Sequence, residues 1–201
     1  MEANVNVICM KWGTKYTAND VNVLYSMVKR HLTIPYRFVC LTDDIKDINP
    51  AIECFALPHI DLPIEKDVSP WRKLGMFSEK IGDLTGKALF LDLDIVIMDN
   101  IDCFFSYSNN FTIIENWTQI GQGIGNSSVY CFNIGAHTDV IEYYQNNIQE
   151  VTNAYSNEQI YLSKKLKILI FGQNYGAKVL KDIVCLRILF AILKRHCNHM
   201  M

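Results

Sequence analysis

The sequence predicts an α/β fold, a mostly parallel sheet flanked by helices. Three observations carry this expectation. Short apolar runs alternate along the chain with segments of helical period, the order that strand–helix–strand units produce. One of the runs, Lys87-Ala88-Leu89-Phe90-Leu91, is continuously apolar after its first residue, as in a strand buried on both faces of a parallel sheet. The chain has 201 residues, a length that suits one domain able to cover both faces of such a sheet.

The elements follow in order. Residues 5–10 read as a buried first strand. The strand runs into a polar loop, residues 11–16, with Trp12 near its start and Tyr16 at its end. From Ala18 to His31 the apolar residues Val21, Leu24, Tyr25 and Val28 recur at helical spacing, and Pro35 ends the segment. Residues 36–41 form a second strand, followed by Thr42-Asp43-Asp44, and residues 52–57 a short third one. Ser69-Pro70 marks a helix start, with Ser as N-cap and Pro at the first helical position, and the helix continues to Phe77. The strand at residues 87–91 comes next. Gly121, Gly123 and Gly125 make a G-x-G-x-G stretch. It reads as a flexible loop, because it does not join a clear strand to a helix as a phosphate cradle does.

Composition narrows the function. Half the residues are hydrophobic and a fifth are charged, the balance of a soluble globular protein. No uncharged apolar window is long enough to span a bilayer. The first residues lack a basic segment followed by an apolar one, so no secretory signal is expected. There are seven cysteines, none in a C-x-x-C pair, which points to reduced thiols in the cytoplasm and away from a zinc site. The net charge of −2 hides an asymmetry, since eight of the nineteen Lys and Arg lie from Lys164 onward. The body is acidic and the tail basic, which excludes a uniform nucleic-acid-binding face. A basic helix over residues 178–195 would carry Val179, Ile183, Leu186, Phe190 and Leu193 on one side. Such a helix can make a peripheral contact with the inner face of an anionic membrane.

The chemistry concentrates where the strand at 87–91 ends in Asp92-Leu93-Asp94. Ligands of open α/β sheets bind beyond the carboxyl ends of strands. Two acids at i and i+2, where the chain bends, can converge on one hard cation, Mg²⁺ or Mn²⁺. Such an ion neutralises a diphosphate leaving group. Ile95-Val96-Ile97 follows at once, so both carboxylates are costly to bury unless something pairs them.

Residues 88–97 resemble the D-x-D strand of GT-A glycosyltransferases, especially the glycogenin-like group and related bacterial sugar transferases. Residues 7–16 resemble the first strand and nucleotide loop of that bacterial group, and residues 38–44 its second strand. Trp71-Arg72-Lys73-Leu74 resembles a helix that supplies a basic donor contact, and Asn157-Glu158-Gln159 is similar to the acid-Gln motif that opens a later helix. The likeness covers roughly residues 5–168. It implies a GT-A-like domain over residues 1–170 that moves a hexose from a UDP-sugar donor to a glycan acceptor, with retention of configuration, aided by Mn²⁺ or Mg²⁺. It further implies roles for single residues. Lys11, Trp12 and Tyr16 would cradle the nucleotide, and Asp43 or Asp44 would face base or ribose. Lys73 and Arg72 would meet phosphate or sugar charge. Asp92 would touch ribose or metal, and Asp94 would be a metal ligand. Asn133 and Gly135 would approach the sugar, with Glu158 and Gln159 at its reacting face.

The tail, residues 171–201, departs from this pattern. The family carries a Trp- and Pro-rich segment after the acid-Gln helix and often a late His metal ligand, and neither is seen here. Shifting the reading of residues 171–186 by one nucleotide can restore a Trp- and Pro-containing segment. A truncated or frameshifted C-terminus is therefore expected, and with it weak turnover.

Overall fold

The computed structural model describes residues 5–62, 70–166 and 168–171. Among these, seven strands form one sheet: β1 (Val5–Lys11), β2 (Tyr36–Thr42), β3 (Glu53–Phe55), β4 (Lys87–Leu91), β5 (Thr112–Glu115), β6 (Gly125–Asn133) and β7 (Leu169–Ile170). Their spatial order is β3-β2-β1-β4-β6-β5-β7. The neighbours β3, β2, β1 and β4 are mutually parallel, as is the β5–β7 pair. The exception, which local pattern does not reveal, is β6, antiparallel to both β4 and β5. The sheet is therefore mixed, though mostly parallel, with helices on both faces.

Every residue of β1 is buried, and alternate side chains go to opposite faces. Val7 and Cys9 join one cluster with Val21, Leu24 and Val28 of helix α1 (Ala18–His31). Ile8 and Met10 join the other, with Trp71, Leu74 and Phe77. That second layer is completed by α3 (Thr138–Asn146), which follows the short α2 (Cys103–Ser106), and by α5 (Glu158–Lys165), which follows α4 (Ile148–Ala154). Helix α1 has the bounds its apolar spacing predicts. It begins where Asp20 accepts the Thr17 backbone N–H at 2.8 Å, and Lys29, Arg30 and His31 fill its last turn, where cations oppose the helix dipole.

The segment expected to be an α-helix near Pro70 is a 3₁₀-helix, Pro70–Phe77. Its buried apolar residues explain the difference: Trp71, Leu74 and Phe77 are three apart, and a three-residue turn stacks them on one side. Ser69, the expected N-cap, lies outside the described residues, as do residues 172–201 of the basic tail. Phe171 is described and packs its ring 4.7 Å from Phe104 and 4.3 Å from Tyr107. Cys9, Cys40, Cys54 and Cys131 are free thiols, and among the described residues no helix is long and apolar enough to cross a membrane.

Candidate functional site

β1 lies between β2 and β4, so the chain leaves β1 in one direction and returns on its other side. A crevice opens at the carboxyl ends of such strands. There β4 continues one residue past its last side-by-side pair. The Asp92 N–H donates to the Ser128 carbonyl of β6 at 2.9 Å. Leu93, Ile95 and Ile97 are buried in the α1-side core. This alternation anchors the strand end by its odd-numbered residues and turns Asp92 and Asp94 to the same side, into a cavity of about 340 Å³. Trp12, Lys15 and Tyr16 line the cavity from the loop after β1, and Lys73 from the 3₁₀-helix. Asn126, Ser127 and Ser128 line it from the start of β6, and Asn157, Glu158 and Gln159 from the start of α5.

The floor of the cavity is a connected set of charges. Lys73 Nζ lies 2.7 Å from Asp92 Oδ2 and 3.7 Å from Glu158 Oε1. The side chains of Lys73 and Glu158 are 10% and 3% exposed, that of Asp92 21%. Burial works against the ammonium, but Asp92 and then Glu158 outweigh it and hold the Lys73 pKa above that of a free lysine. Burial also lifts the Asp92 carboxyl above the ordinary carboxylate range, with Lys73 opposing the lift. Ser127 Oγ donates to Glu158 Oε1 at 2.6 Å. Tyr16 donates its hydroxyl to Asp94 Oδ2 at 2.8 Å, and burial followed by this carboxylate pushes the phenol well above its usual pKa. Beneath Lys73 lies the Phe90 ring, 5.7 Å away, stacked on Tyr130 at 4.8 Å. The Tyr130 hydroxyl is buried with no hydrogen-bond partner among the described residues. Its pKa is raised by burial and then by the charges of Asp92 and Glu158.

Asp92, Asp94 and Glu158 bring three carboxylates to the cavity, and Lys73 pairs with two of them. The donor set is hard oxygen. Among the described residues no group of three or more His, Cys, Asp or Glu stands ready to hold an ion. A closed protein cage is therefore not formed. Asp92 and Asp94 fit instead a Mg²⁺- or Mn²⁺-like cation that needs only one or two carboxylates and fills its shell with phosphate oxygens and water.

The structure thus brings together Trp12, Tyr16, Lys73, Asp92, Asp94, Glu158 and Gln159. Other expected residues do not line this cavity. Lys11 is buried, with Nζ 3.3 Å from the Asp44 carbonyl, and Asp43 accepts the Gly13 N–H at 2.9 Å. They tie the loop after β1 to the end of β2. The Asp44 carboxylate accepts the Lys46 N–H at 2.9 Å. Arg72 is not a lining residue, and its Nε is buried without a partner among the described residues. Asn133 and Gly135 require a correction, because β6 runs antiparallel. Asn133 is in register with Lys87, at the start of β4 and the far end of the sheet from Asp92. Its amide donates to the Asn109 carbonyl at 2.9 Å. Gly135 has φ +75°, and a Cβ there would lie 2.9 Å from the Glu79 carbonyl oxygen, so its conformational freedom serves the backbone.

The same strand direction explains what sequence reasoning missed. Asn126, Ser127 and Ser128 come to the cavity because β6 starts where β4 ends. The available signal was the polar Asn-Ser-Ser opening of an apolar run, Val129 to Phe132, right after the glycine-rich turn. Trp117, from the loop after β5, and Asn157 were missed as well. The Asn157 side chain accepts the Ile160 N–H at 3.1 Å as the N-cap of α5. No protein-family model matches the chain, and no curated protein matches it either.

Proposed function

We propose that the chain is a GT-A-type glycosyltransferase that moves a hexose from a UDP-sugar to a glycan acceptor with the aid of Mn²⁺ or Mg²⁺. One observation carries the reading: Asp92, Asp94, Lys73 and Glu158 converge with two aromatic loop residues in a single cavity at the strand ends. In this reading Trp12 and Tyr16 flank the nucleotide, and Lys15 adds positive charge at the same rim. Asp92 and Asp94 would hold the cation, whose charge would offset that of the diphosphate leaving group. The Lys73 ammonium, already fixed by Asp92, adds a preorganised positive charge beside the same group. Glu158 and Gln159, at the mouth of α5, face the sugar from the other wall. The acceptor hydroxyl attacks the anomeric carbon, the bond from that carbon to the phosphate oxygen breaks, and the hydroxyl proton leaves to solvent or product phosphate.

A second reading, a nucleotide-sugar-binding domain without turnover, is favoured by one feature. The Asp92–Lys73 pair at 2.7 Å already satisfies a carboxylate that a bound cation would share. The two readings part on donor chemistry. The chain is incubated with UDP-glucose or UDP-galactose and Mn²⁺, and released UDP is followed. The transferase reading expects release that EDTA abolishes. Binding of either donor without release selects the second reading, and no binding at all rejects both.

A further inference from the structure

We infer that Ser127 is the residue that positions Glu158, by fixing the plane of its carboxylate so that one oxygen points to the reacting group; this role rests on the transferase reading above. A glutamate's terminal torsion is broad, so a catalytic carboxylate must be pinned by a partner to hold one plane reproducibly. Among the described residues two groups approach Glu158, both at Oε1: Ser127 Oγ at 2.6 Å and Lys73 Nζ at 3.7 Å. Only the first is within hydrogen-bond range. Lys73 spends its own short contact on Asp92, at 2.7 Å, and so supplies charge to Glu158 without fixing its orientation. Oε2 accepts no hydrogen bond from a described residue.

The placement of Ser127 is itself over-determined. The start of β6 is held to the end of β4 through Asp92 N–H and Ser128 O, and it is shaped by the Ser128 N–H donating to Asn126 Oδ1 at 2.9 Å. It is held to α5 by the Gly125 N–H donating to Ser163 Oγ at 2.9 Å. Helix α5 is further anchored by Tyr161, whose hydroxyl donates to the Val140 carbonyl at 2.8 Å, and by fully buried Leu162. Docking of α5 on β6 therefore survives without the Ser127 hydroxyl. What the hydroxyl alone determines is the carboxylate's orientation between the sugar wall and Lys73.

The test compares Ser127→Ala and Ser127→Thr with the wild type in Mn²⁺-dependent release of UDP from UDP-glucose and UDP-galactose. The ¹³C side-chain resonance of Glu158, assigned with Glu158→Gln, is read in parallel. Positioning predicts that S127A lowers kcat about tenfold, as small displacements of reacting groups do, with KM and UDP affinity unchanged. The Glu158 resonance moves in S127A, and S127T restores both kcat and resonance. If S127A does not fold, Ser127→Cys, a weaker donor of similar size, takes its place in the comparison. Wild-type kcat in S127A, or a loss that Thr does not rescue, overturns the role of Ser127 alone. A wild type that releases UDP from neither donor overturns the reading of the site and this role with it.

Discussion

Replacing Lys73 with Met keeps the aliphatic stem and removes the ammonium between Asp92 and Glu158. Breaking a buried ion pair from one side costs about 3–5 kcal/mol, because the remaining charge stays buried and uncompensated. The Glu158 side chain is 3% exposed and that of Asp92 21%, so water reaches only the second. The loss should therefore fall near the lower limit, about 3 kcal/mol at pH 7. With a urea m-value of about 2 kcal/mol/M for a domain of this size, the midpoint should drop by about 1.5 M. The pH dependence has a definite sign. The folded Asp92 carboxyl already titrates above its unfolded value, and losing Lys73 raises it further. Its protonated form then favours the fold at low pH, and that contribution is lost as pH rises through the folded pKa. The gap between wild type and Lys73→Met should thus narrow as pH falls, and Asp92→Asn in the same variant should recover part of the loss at pH 7. Urea unfolding followed by circular dichroism checks both. A midpoint unchanged by Lys73→Met, or a gap independent of pH, refutes the view of Lys73 as a buried counter-ion.

Two further predictions concern the scaffold. Gly135→Ala should destabilise the chain by at least about 1–2 kcal/mol, because the left-handed backbone alone costs an L-residue that much and the new Cβ would also lie 2.9 Å from the Glu79 carbonyl oxygen, while UDP affinity stays unchanged; a loss of affinity at equal stability would return Gly135 to the site. Asp102 accepts the backbone N–H of Thr33 at 2.8 Å and the Thr33 hydroxyl. Burial opposes its charge, yet these and neighbouring donors hold its carboxyl below the ordinary range, so its stabilisation is present above the unfolded pKa of about 3.9 and is lost as pH falls through the lower folded value. The urea midpoint of Asp102→Asn should lie below the wild type at pH 6 and approach it below pH 4, and a difference constant with pH would argue against this source of acid sensitivity.

Local pattern was enough for some elements. Helix α1 and β4 have the bounds that residues 18–31 and 87–91 suggest, because one carries its own capping and periodicity and the other is apolar after its first residue. The D-x-D acids were legible for a related reason: the i, i+2 spacing that buries Leu93 and Ile95 must turn Asp92 and Asp94 the other way. The strand direction of β6 was not legible. Nothing in residues 125–133 states whether they pair parallel or antiparallel with β4, since that depends on a contact with residues about forty positions away in the chain. The resemblance sent Asn133 and Gly135 to the site, whereas the antiparallel pairing carries them to the far end of β4 and brings Ser127 to the cavity instead. Lys73 was singled out as a donor contact, but its pairing with Asp92 depends on how the 3₁₀-helix packs on the sheet, which periodicity does not encode.

If the strand end at Asp92 and Asp94 binds a cation together with a nucleoside diphosphate, isothermal titration of the chain with UDP, with and without Mn²⁺ and with Asp94→Asn beside the wild type, will show it. Asp94 bonds only the Tyr16 hydroxyl among the described side chains and is not a core residue, so its loss should leave the fold intact. Mn²⁺ should strengthen UDP binding to the wild type, and Asp94→Asn should abolish this gain while circular dichroism stays unchanged. A folded Asp94→Asn variant that keeps the full Mn²⁺-dependent gain would rule out Asp94 as a cation ligand.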